Sequence, residues 1–187
     1  MFKKGFTFLE VIIVVAIIFI MTAIMLSMAY GGRDKKEISS IARHVIASVR
    51  ETQNNALTGK QKENDKLPCA FRLEFTGNSY QVKYQSRGID EDCASGWSNF
   101  FDPINLPSKA NFEIYIYGGS GWEGPLSGAR TIDFDVPYGL VTIDGDSNYK
   151  GMEIDIVENG KRYVICVHST GLVEELGIKD SAKTCAF

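Results

Sequence analysis

The stretch VIIVVAIIFIMTAIMLSMA, residues Val11–Ala29, decides how this chain is organised. It contains no charged residue, and only Thr22 and Ser27 interrupt its apolar character. At about 1.5 Å per residue, a helix of this length reaches about 30 Å, which is the thickness of a bilayer core. A helix on the surface of a soluble domain would show a polar stripe, and this stretch has none. It therefore predicts a helix that lies in lipid or among other apolar helices.

The rest of the chain has the composition of a globular protein. Of the 187 residues, 44% are hydrophobic and 23% are charged, and residues 11–32 carry no charge at all. An aromatic content of 11% with only five prolines excludes a disordered chain. The formal net charge of −3 provides no global attraction to nucleic acid or to an anionic surface.

The segment before the apolar stretch narrows the possible roles of the predicted helix. It reads Lys3-Lys4-Gly5-Phe6-Thr7-Phe8-Leu9-Glu10. Two lysines and an apolar run also begin a secretory signal, for which Ser27-Met28-Ala29 would be a cleavage site, and the length fits a single-pass anchor. Neither explains Glu10, because an ionisable group at the entrance of a membrane helix is costly and is usually functional.

Taken together, Lys3 to Glu10 and the uninterrupted apolar run resemble the type III signal sequence of type IV prepilins and type II secretion pseudopilins. The resemblance covers residues 1–30. It implies that a prepilin peptidase cleaves between Gly5 and Phe6 and methylates Phe6, and that Glu10 guides assembly. It also implies other pilin or pseudopilin subunits and an inner-membrane assembly platform as partners.

The same resemblance implies a location: a single-pass protein of the inner (cytoplasmic) membrane with an extracytoplasmic head, and a periplasmic or extracellular filament after assembly. Basic residues do not assign the sides independently, since two lysines precede the apolar run and Arg33, Lys35 and Lys36 follow it. Among packed apolar helices an unpaired carboxylate is costly. We therefore expect Glu10 to pair with the Phe6 amine of a neighbouring subunit.

Residues 33–59 continue the helix with an amphipathic pattern. Gly31-Gly32 marks a place for a bend, Asp34 is a candidate N-cap, and Gly59 predicts the helix end. The apolar residues at helical spacing are Ile38, Ile41, Ala42, Val45, Ile46, Val49 and Leu57. Many pilins have a proline in the membrane helix, whereas the first proline here is Pro68, and this departure leaves the class within the superfamily open.

Residues 60–187 predict a β-rich head after a charged linker at 60–68. Apolar and polar residues alternate with the period of two that is typical of strands. Gly77-Asn78 and Glu158–Lys161 predict tight turns. The expected strands lie around 71–76, 80–84, 112–117, 131–136, 140–143, 152–157, 163–167 and 172–173. The chain therefore predicts an α+β fold, with a long N-terminal helix packed on a mostly antiparallel sheet.

The chain is therefore predicted to consist of four segments: a leader at 1–5, a transmembrane and polymerisation helix at 6–32, the amphipathic second half of that helix at 33–59, and the head at 60–187. The head further resembles the GspH/FimT group of minor pseudopilins and minor pilins. A major pilin and another minor subunit remain open alternatives. The stretches that carry this second resemblance are residues 40–53, residues 132–139 and residues 166–172.

The four cysteines are Cys69, Cys93, Cys166 and Cys185. They form no C-x-x-C motif, so a zinc site is not expected. An even number in an exported head indicates two disulfides, for which three pairings are possible. Local closure favours Cys69–Cys93 and Cys166–Cys185, and the second pair resembles the bridge that fixes the C-terminal region of many pilins.

Two motifs imitate ligand sites. Gly119–Gly124 matches G-x-G-x-x-G, but Pro125 follows where a dinucleotide-binding helix would begin, so we interpret it as a surface loop. Asp144, Asp146 and Asn148 imitate a calcium loop with Asp155 at its twelfth position. However, Tyr149 replaces the required glycine, which leaves this loop as a weak candidate. We expect no metal site and no cofactor.

The sequence also bears on the class of function. It offers no candidate catalytic residues in a triad or nucleophile-elbow arrangement, so we do not expect an enzyme. It contains no basic cluster, so nucleic acid is not an expected partner. We predict a minor pilin or pseudopilin of a type IV pilus or type II secretion pseudopilus. The alternative is a membrane-anchored extracytoplasmic β-domain that binds a ligand or DNA without polymerising.

Overall fold

The computed structural model describes residues 7–62, 67–87, 93 and 96–187, and for residues 27–35 it describes the backbone alone. Gly5 and Phe6, the predicted processing site, lie outside the described residues. The chain divides into two compact units, Met1–Glu37 and Ile38–Phe187. By this division most of the predicted amphipathic segment belongs with the head.

The α-helix α1 runs without interruption from Phe8 to Thr58. Gly31 and Gly32 lie inside it, so the predicted continuation of the helix is confirmed, whereas the prediction that Asp34 is an N-cap is wrong. A glycine costs a helix interior only about 1 kcal/mol relative to alanine, and long helix-forming runs on both sides outweigh that cost. The helix ends where predicted, at Gly59, whose φ is +61°.

Backbone hydrogen bonds at this end form a Schellman motif. The N–H of Gly59 donates to the carbonyl of Ala56 at 3.3 Å, and the N–H of Lys60 donates to the carbonyl of Asn55 at 3.0 Å. This pairing requires the left-handed conformation that glycine adopts without steric cost. The sequence signal and the geometry therefore agree at this terminus.

Among the described residues of the second unit, eleven strands form two antiparallel sheets. The first sheet has the order β3-β2-β1-β7-β8, with β4 also paired to β2, and the second has the order β11-β10-β9-β5-β6. In chain order the strands are β1 (Pro68–Thr76), β2 (Ser79–Ser86), β3 (Ser98–Asn99), β4 (Ile104–Asn105), β5 (Ala110–Gly118), β6 (Gly121–Glu123), β7 (Arg130–Asp135), β8 (Val141–Ile143), β9 (Gly151–Glu158), β10 (Lys161–His168) and β11 (Val173–Lys179).

One hydrophobic core joins both sheets to the second half of α1. The helix contributes small and β-branched side chains, whereas the strands contribute aromatic and long aliphatic ones. Its fully buried members include Ile38, Val45, Val49, Phe71, Leu73, Phe75, Ile132, Phe134, Met152, Ile154, Ile156 and Ile165. The predicted α+β architecture, a helix packed on an antiparallel β head, is confirmed.

Eight of the strands match the expected ones, and three short ones were not predicted: β3, β4 and β6. The hairpin turn between β9 and β10 is confirmed. Asn159 and Gly160 have φ of 50° and 74°, as a type I′ turn requires at both central positions. The last strand, β11, is longer than expected and continues to Lys179. Its charged residues obscure the alternating pattern from which a strand would be predicted.

Both disulfides form between the cysteine pairs that local closure of the chain predicted. Cys69–Cys93 has a Cα–Cα distance of 5.9 Å, and Cys166–Cys185 has one of 5.7 Å. Each bridge lies within the second unit, where it connects a strand of the head to a neighbouring loop or to the C-terminal segment.

Candidate functional site

The first feature of interest is the exposed apolar surface of α1 from Phe8 to Leu26. Its 19 residues have a mean hydropathy of 3.0, and none is buried by the rest of the chain. By length and composition this segment could cross a membrane. Apolar side chains at this density are otherwise found in the interior of proteins. The segment therefore presents a continuous apolar surface.

Thr22, a polar residue within this surface, forms a hydrogen bond inside the helix. The Thr22 hydroxyl donates to the backbone carbonyl of Ile18 at 2.7 Å. A hydroxyl that bonds back to the preceding turn leaves no unpaired donor for lipid or for a neighbouring helix. Thr22 thus allows the apolar surface to continue across its position.

Glu10 lies at the start of the helix, where its carboxylate and Thr7 form a capping box. The Glu10 N–H donates to the Thr7 hydroxyl oxygen at 3.3 Å, and the Thr7 N–H lies 3.4 Å from Glu10 Oε2. This reciprocal pairing satisfies two of the backbone N–H groups that every helix start leaves free. The role of Thr7 was not predicted from the sequence, although T-x-x-E before an apolar run is the recognisable signal of a capping box.

Within the capping box, Thr7 binds the Glu10 side chain only weakly. The Thr7 hydroxyl also lies 3.4 Å from Glu10 Oε2, and both residues are exposed. These contacts are at the long end of the hydrogen-bond range, so they hold the carboxylate weakly. Glu10 is also the only ionisable residue between Phe8 and Leu26. Its carboxylate is therefore available to a stronger, cationic partner.

In the head, a second carboxylate holds the C-terminal segment. Glu153 on β9 is fully buried. It accepts hydrogen bonds from the backbone N–H groups of Lys183, Thr184 and Cys185, the last two at 2.7 and 2.8 Å. Three backbone donors compensate a buried carboxylate for its lost hydration. Together with the Cys166–Cys185 bridge, they fix this segment over the second sheet.

An ion-pair network lies beside it. Arg162 on β10 donates to Asp155 on β9 and, at 2.7 Å, to Glu113 on β5. The Tyr115 hydroxyl donates to Glu113 at 3.1 Å. Burial, together with the smaller effect of the charges of Glu153 and Glu113, raises the pKa of Asp155 to about 7 despite the hydrogen bond from Arg162. Asp155 thus has the most strongly raised pKa among the carboxyl groups of the described head.

The calcium candidate does not form a site. Asp144 pairs with Arg130 at 2.7 Å and accepts the Thr131 N–H at 2.9 Å, while Asp146 accepts from the backbone and side chain of Asn148, both at 2.8 Å. Both carboxylate oxygens of Asp144 and the Oδ1 atom of Asp146 therefore already accept hydrogen bonds from protein donors. Within residues 7–62, 67–87, 93 and 96–187, no group of three or more His, Cys, Asp or Glu side chains could hold a metal ion.

The glycine-rich motif is a hairpin. Residues 119–120 connect β5 to β6, and no helix follows Gly124. A dinucleotide site would need the N-terminus of a helix at this point. The structure therefore agrees with the interpretation as a surface loop.

Several basic side chains of the head already face carboxylates. Arg72 forms two hydrogen bonds of 2.6 Å to Asp133, and Lys83 lies 2.8 Å from Glu74. Ion-paired groups of this kind are less available to phosphates than free lysines and arginines. At these positions the first sheet offers no unpaired charge to nucleic acid.

Comparison of the chain with protein-family models, curated proteins and solved structures gives no match. The functional interpretation therefore depends on the residues and their geometry.

Proposed function

We propose that this chain is a structural subunit, of the minor pilin or pseudopilin type, of a type IV pilus or a type II secretion pseudopilus. A prepilin peptidase cleaves it between Gly5 and Phe6 and methylates Phe6. It then spans the inner membrane once, with its head outside the cytoplasm. The assembly platform polymerises it with other pilin or pseudopilin subunits through residues 6–32.

The observation that carries the proposal is the exposed apolar helix Phe8–Leu26 with Glu10 at its entrance. Lipid alone would satisfy the apolar side chains but not the carboxylate, since an ionisable group within a membrane helix is costly and usually functional. A plain anchor gains nothing from that cost. A polymerising subunit gains a defined register, because the carboxylate pairs with the amine of a neighbour.

The two disulfides support the extracytoplasmic location of the head. All four cysteines are paired within it. Stable structural disulfides form in oxidising compartments and are rare in the cytosol. The head is therefore suited to the periplasm or the cell surface, which is where a pilin head lies.

The decisive experiment separates the two roles of Glu10. Glu10→Gln keeps the capping box, because glutamine also caps at this position, but it removes the charge. Thr7→Ala removes the cap and keeps the charge. We expect Glu10→Gln and Glu10→Val to insert in the membrane but to disappear from sheared filaments, whereas Thr7→Ala is still incorporated.

Recovery of Glu10→Gln in filaments at the wild-type level would contradict the proposal, since Glu10 would then serve only as a cap. Processing is tested separately with Gly5→Asp, which should accumulate as the uncleaved precursor on a gel. A wild-type chain that is membrane-inserted but absent from filaments would favour the alternative, an anchored domain that binds a ligand or DNA without polymerising.

A further inference from the structure

We propose that Glu153 is a positioning residue for the second disulfide, Cys166–Cys185. Its carboxylate binds the backbone of residues 183–185 in the reduced chain, so that the two thiols lie side by side before they are oxidised. The inference goes beyond the proposed function, because it concerns how the head closes covalently and does not depend on polymerisation. In the opposite view, the disulfide holds the segment and the carboxylate only accepts hydrogen bonds from a backbone that is already in place.

The register of β9 and β10 places Glu153 directly opposite Cys166. Side chains of residues that face each other in this way project from the same side of an antiparallel pair, with Cβ atoms about 4.5–5.5 Å apart. Glu153 also accepts a hydrogen bond of 2.8 Å from the N–H of Cys185. The carboxylate that holds one cysteine is therefore the cross-strand neighbour of the other, and docking of the backbone brings the two side chains together.

Glu153 binds the segment through both of its carboxylate oxygens. Oε1 accepts the N–H of Lys183, and Oε2 accepts the N–H groups of Thr184 and Cys185. Successive backbone N–H groups that converge on one point form an anion-binding concavity. Hydrogen bonds to an ionised acceptor are about twice as strong as neutral ones, and Glu153 is fully buried, so little water competes for them.

The backbone at Lys183 indicates that the segment adapts to the carboxylate. Its φ is +60°, in the left-handed region that non-glycine residues rarely adopt. Such a conformation persists only where the surrounding structure holds it. The disulfide joins a side chain two residues further along and does not fix this dihedral angle, whereas the hydrogen bond from the Lys183 N–H to Glu153 acts directly on it.

Phe187 provides a second attachment that is independent of the disulfide. Its ring lies over Gly151, where an added Cβ atom would overlap it. The register of the sheet places Tyr117 and His168 on the two sides of this glycine. Their ring centroids lie 5.9 and 4.9 Å from that of Phe187, and the centroid of the Trp122 ring lies at 5.4 Å. The sheet thus forms a slot for this ring.

The two attachments have the spacing of an extended chain. Cys185 and Phe187 are two residues apart, and so are the two residues of β9 that they contact, Glu153 and Gly151. Residues i and i+2 of an extended chain lie on the same side. The segment therefore matches the sheet at two successive positions, a fit that a single covalent link would not require.

Oxidation of the docked thiols needs an external oxidant, for which we name a disulfide, either oxidised glutathione or a thiol oxidoreductase of an oxidising compartment. One protein thiolate attacks a sulfur of this disulfide and forms a mixed disulfide, while the other sulfur leaves as a thiolate. The second protein thiolate then attacks the protein sulfur of the mixed disulfide and releases the remaining thiolate of the oxidant. Two electrons and the two thiol protons pass to the oxidant. Docking raises the effective concentration of the thiols in the second step.

Thiol–disulfide exchange in the purified full-length chain, kept in detergent, tests this role. The chain is equilibrated with reduced and oxidised glutathione at several ratios, free thiols are trapped with N-ethylmaleimide, and mass spectrometry measures each bridge. The first disulfide of the same molecules is the internal reference. Glu153→Gln removes the charge and keeps the shape. Glu158→Gln is the matched control, because Glu158 is also a buried glutamate of β9 but lies opposite Lys161.

We expect Glu153→Gln to lower the effective concentration of the second disulfide by about tenfold or more, as for the loss of one charge-assisted hydrogen bond, and to leave the first unchanged. Glu158→Gln should not alter the ratio of the two bridges. Equal losses at both bridges in Glu153→Gln would overturn the inference, because a general loss of stability would explain them. An unchanged second disulfide, or an equal and selective loss with Glu158→Gln, would overturn it as well.

A second measurement does not require the Glu153 variant to fold. In the chain with Cys166→Ser and Cys185→Ser, amide hydrogen exchange is followed at residues 183–185. We expect these amides to exchange at least about tenfold more slowly than those of an unstructured peptide, because they remain bonded to the carboxylate. Exchange at the peptide rate would overturn the inference, since the disulfide would then hold the segment. Neither measurement involves a filament, so both outcomes leave the proposed function to its own test.

Discussion

The same residue type lies in opposite surroundings in the two compact units. Phe8 at the start of α1 is 83% exposed, whereas Phe71 on β1 is completely buried. Burial of such a side chain contributes about 1.5–3 kcal/mol, and the head obtains this contribution by folding alone. The apolar segment of α1 can obtain it only from other molecules. Stability of the head is thus a property of one chain, whereas that of the N-terminal segment depends on its surroundings.

The largest expected effect on stability comes from a cavity in the core of the head. Phe71→Ala should lower the free energy of unfolding of the head by about 3–5 kcal/mol, because it removes a fully buried ring from the core. Urea unfolding of the full chain in detergent, followed by the fluorescence of Trp97 and Trp122, measures it. Phe8→Ala is the control and should leave the head unchanged. An equal loss in both variants would show that the two units unfold together.

Loss of the second disulfide should have a somewhat smaller effect. The double variant Cys166→Ser and Cys185→Ser should destabilise the head by about 3 kcal/mol, since the bridge closes a loop of 19 residues. Thermal unfolding measured by circular dichroism checks the change. The helical signal of the detergent-embedded segment should persist above the lowered transition, and its disappearance in the same transition would contradict the separation of the units.

The pH dependence of the head should reflect Asp155. Burial raises the pKa of its carboxyl from an ordinary value near 3.8 to about 7, so the folded head binds this proton more tightly than the unfolded chain. Stability from this group is fully present below about pH 4, near the pKa of the carboxyl in the unfolded chain, and is lost as the pH rises through 7. Between pH 6 and 8 the loss should be about 1.4 kcal/mol.

Urea unfolding at a series of pH values measures this loss, and Asp155→Asn is the comparison. The variant should have a flatter profile between pH 6 and 8, whatever its absolute stability. An unchanged slope in the variant would assign the pH dependence to other groups.

The smallest expected effect lies at the start of α1. Thr7→Ala should destabilise the first helical turn by about 1 kcal/mol, because it removes the N-cap side chain. Faster hydrogen exchange of the amides near Glu10, with no change in the head, is the expected observation. Equal exchange rates in wild type and variant would show that the capping box contributes nothing in the membrane environment.

The sequence predicts much of the head because its main strands alternate cleanly. Phe71, Leu73 and Phe75 face one side of β1, and all three are buried. The two-residue strands β3 and β4 could not be predicted, since a strand of two residues has no period. Asp34 was a plausible cap in the sequence, but continuity of the helix decided against it.

The burial of the acidic residues on β9 could also not be predicted from the sequence. In the alternation Met152-Glu153-Ile154-Asp155-Ile156, the acidic positions are typical of a solvent-facing side. Both are fully buried, and the backbone that binds Glu153 belongs to residues 183–185. A pattern within one strand contains no information on a segment that returns from so far along the chain.

Coverage of β9 on both faces has a consequence for the order in which the head opens. This strand pairs with β10 on one side and β5 on the other, and only Val157 among its eight residues is not buried. Local opening therefore cannot release it without first displacing a neighbour, so its amides should exchange with solvent only through global unfolding. Hydrogen exchange followed residue by residue should identify β9 as the slowest part of the molecule, and the free energy measured there as the stability of the whole head.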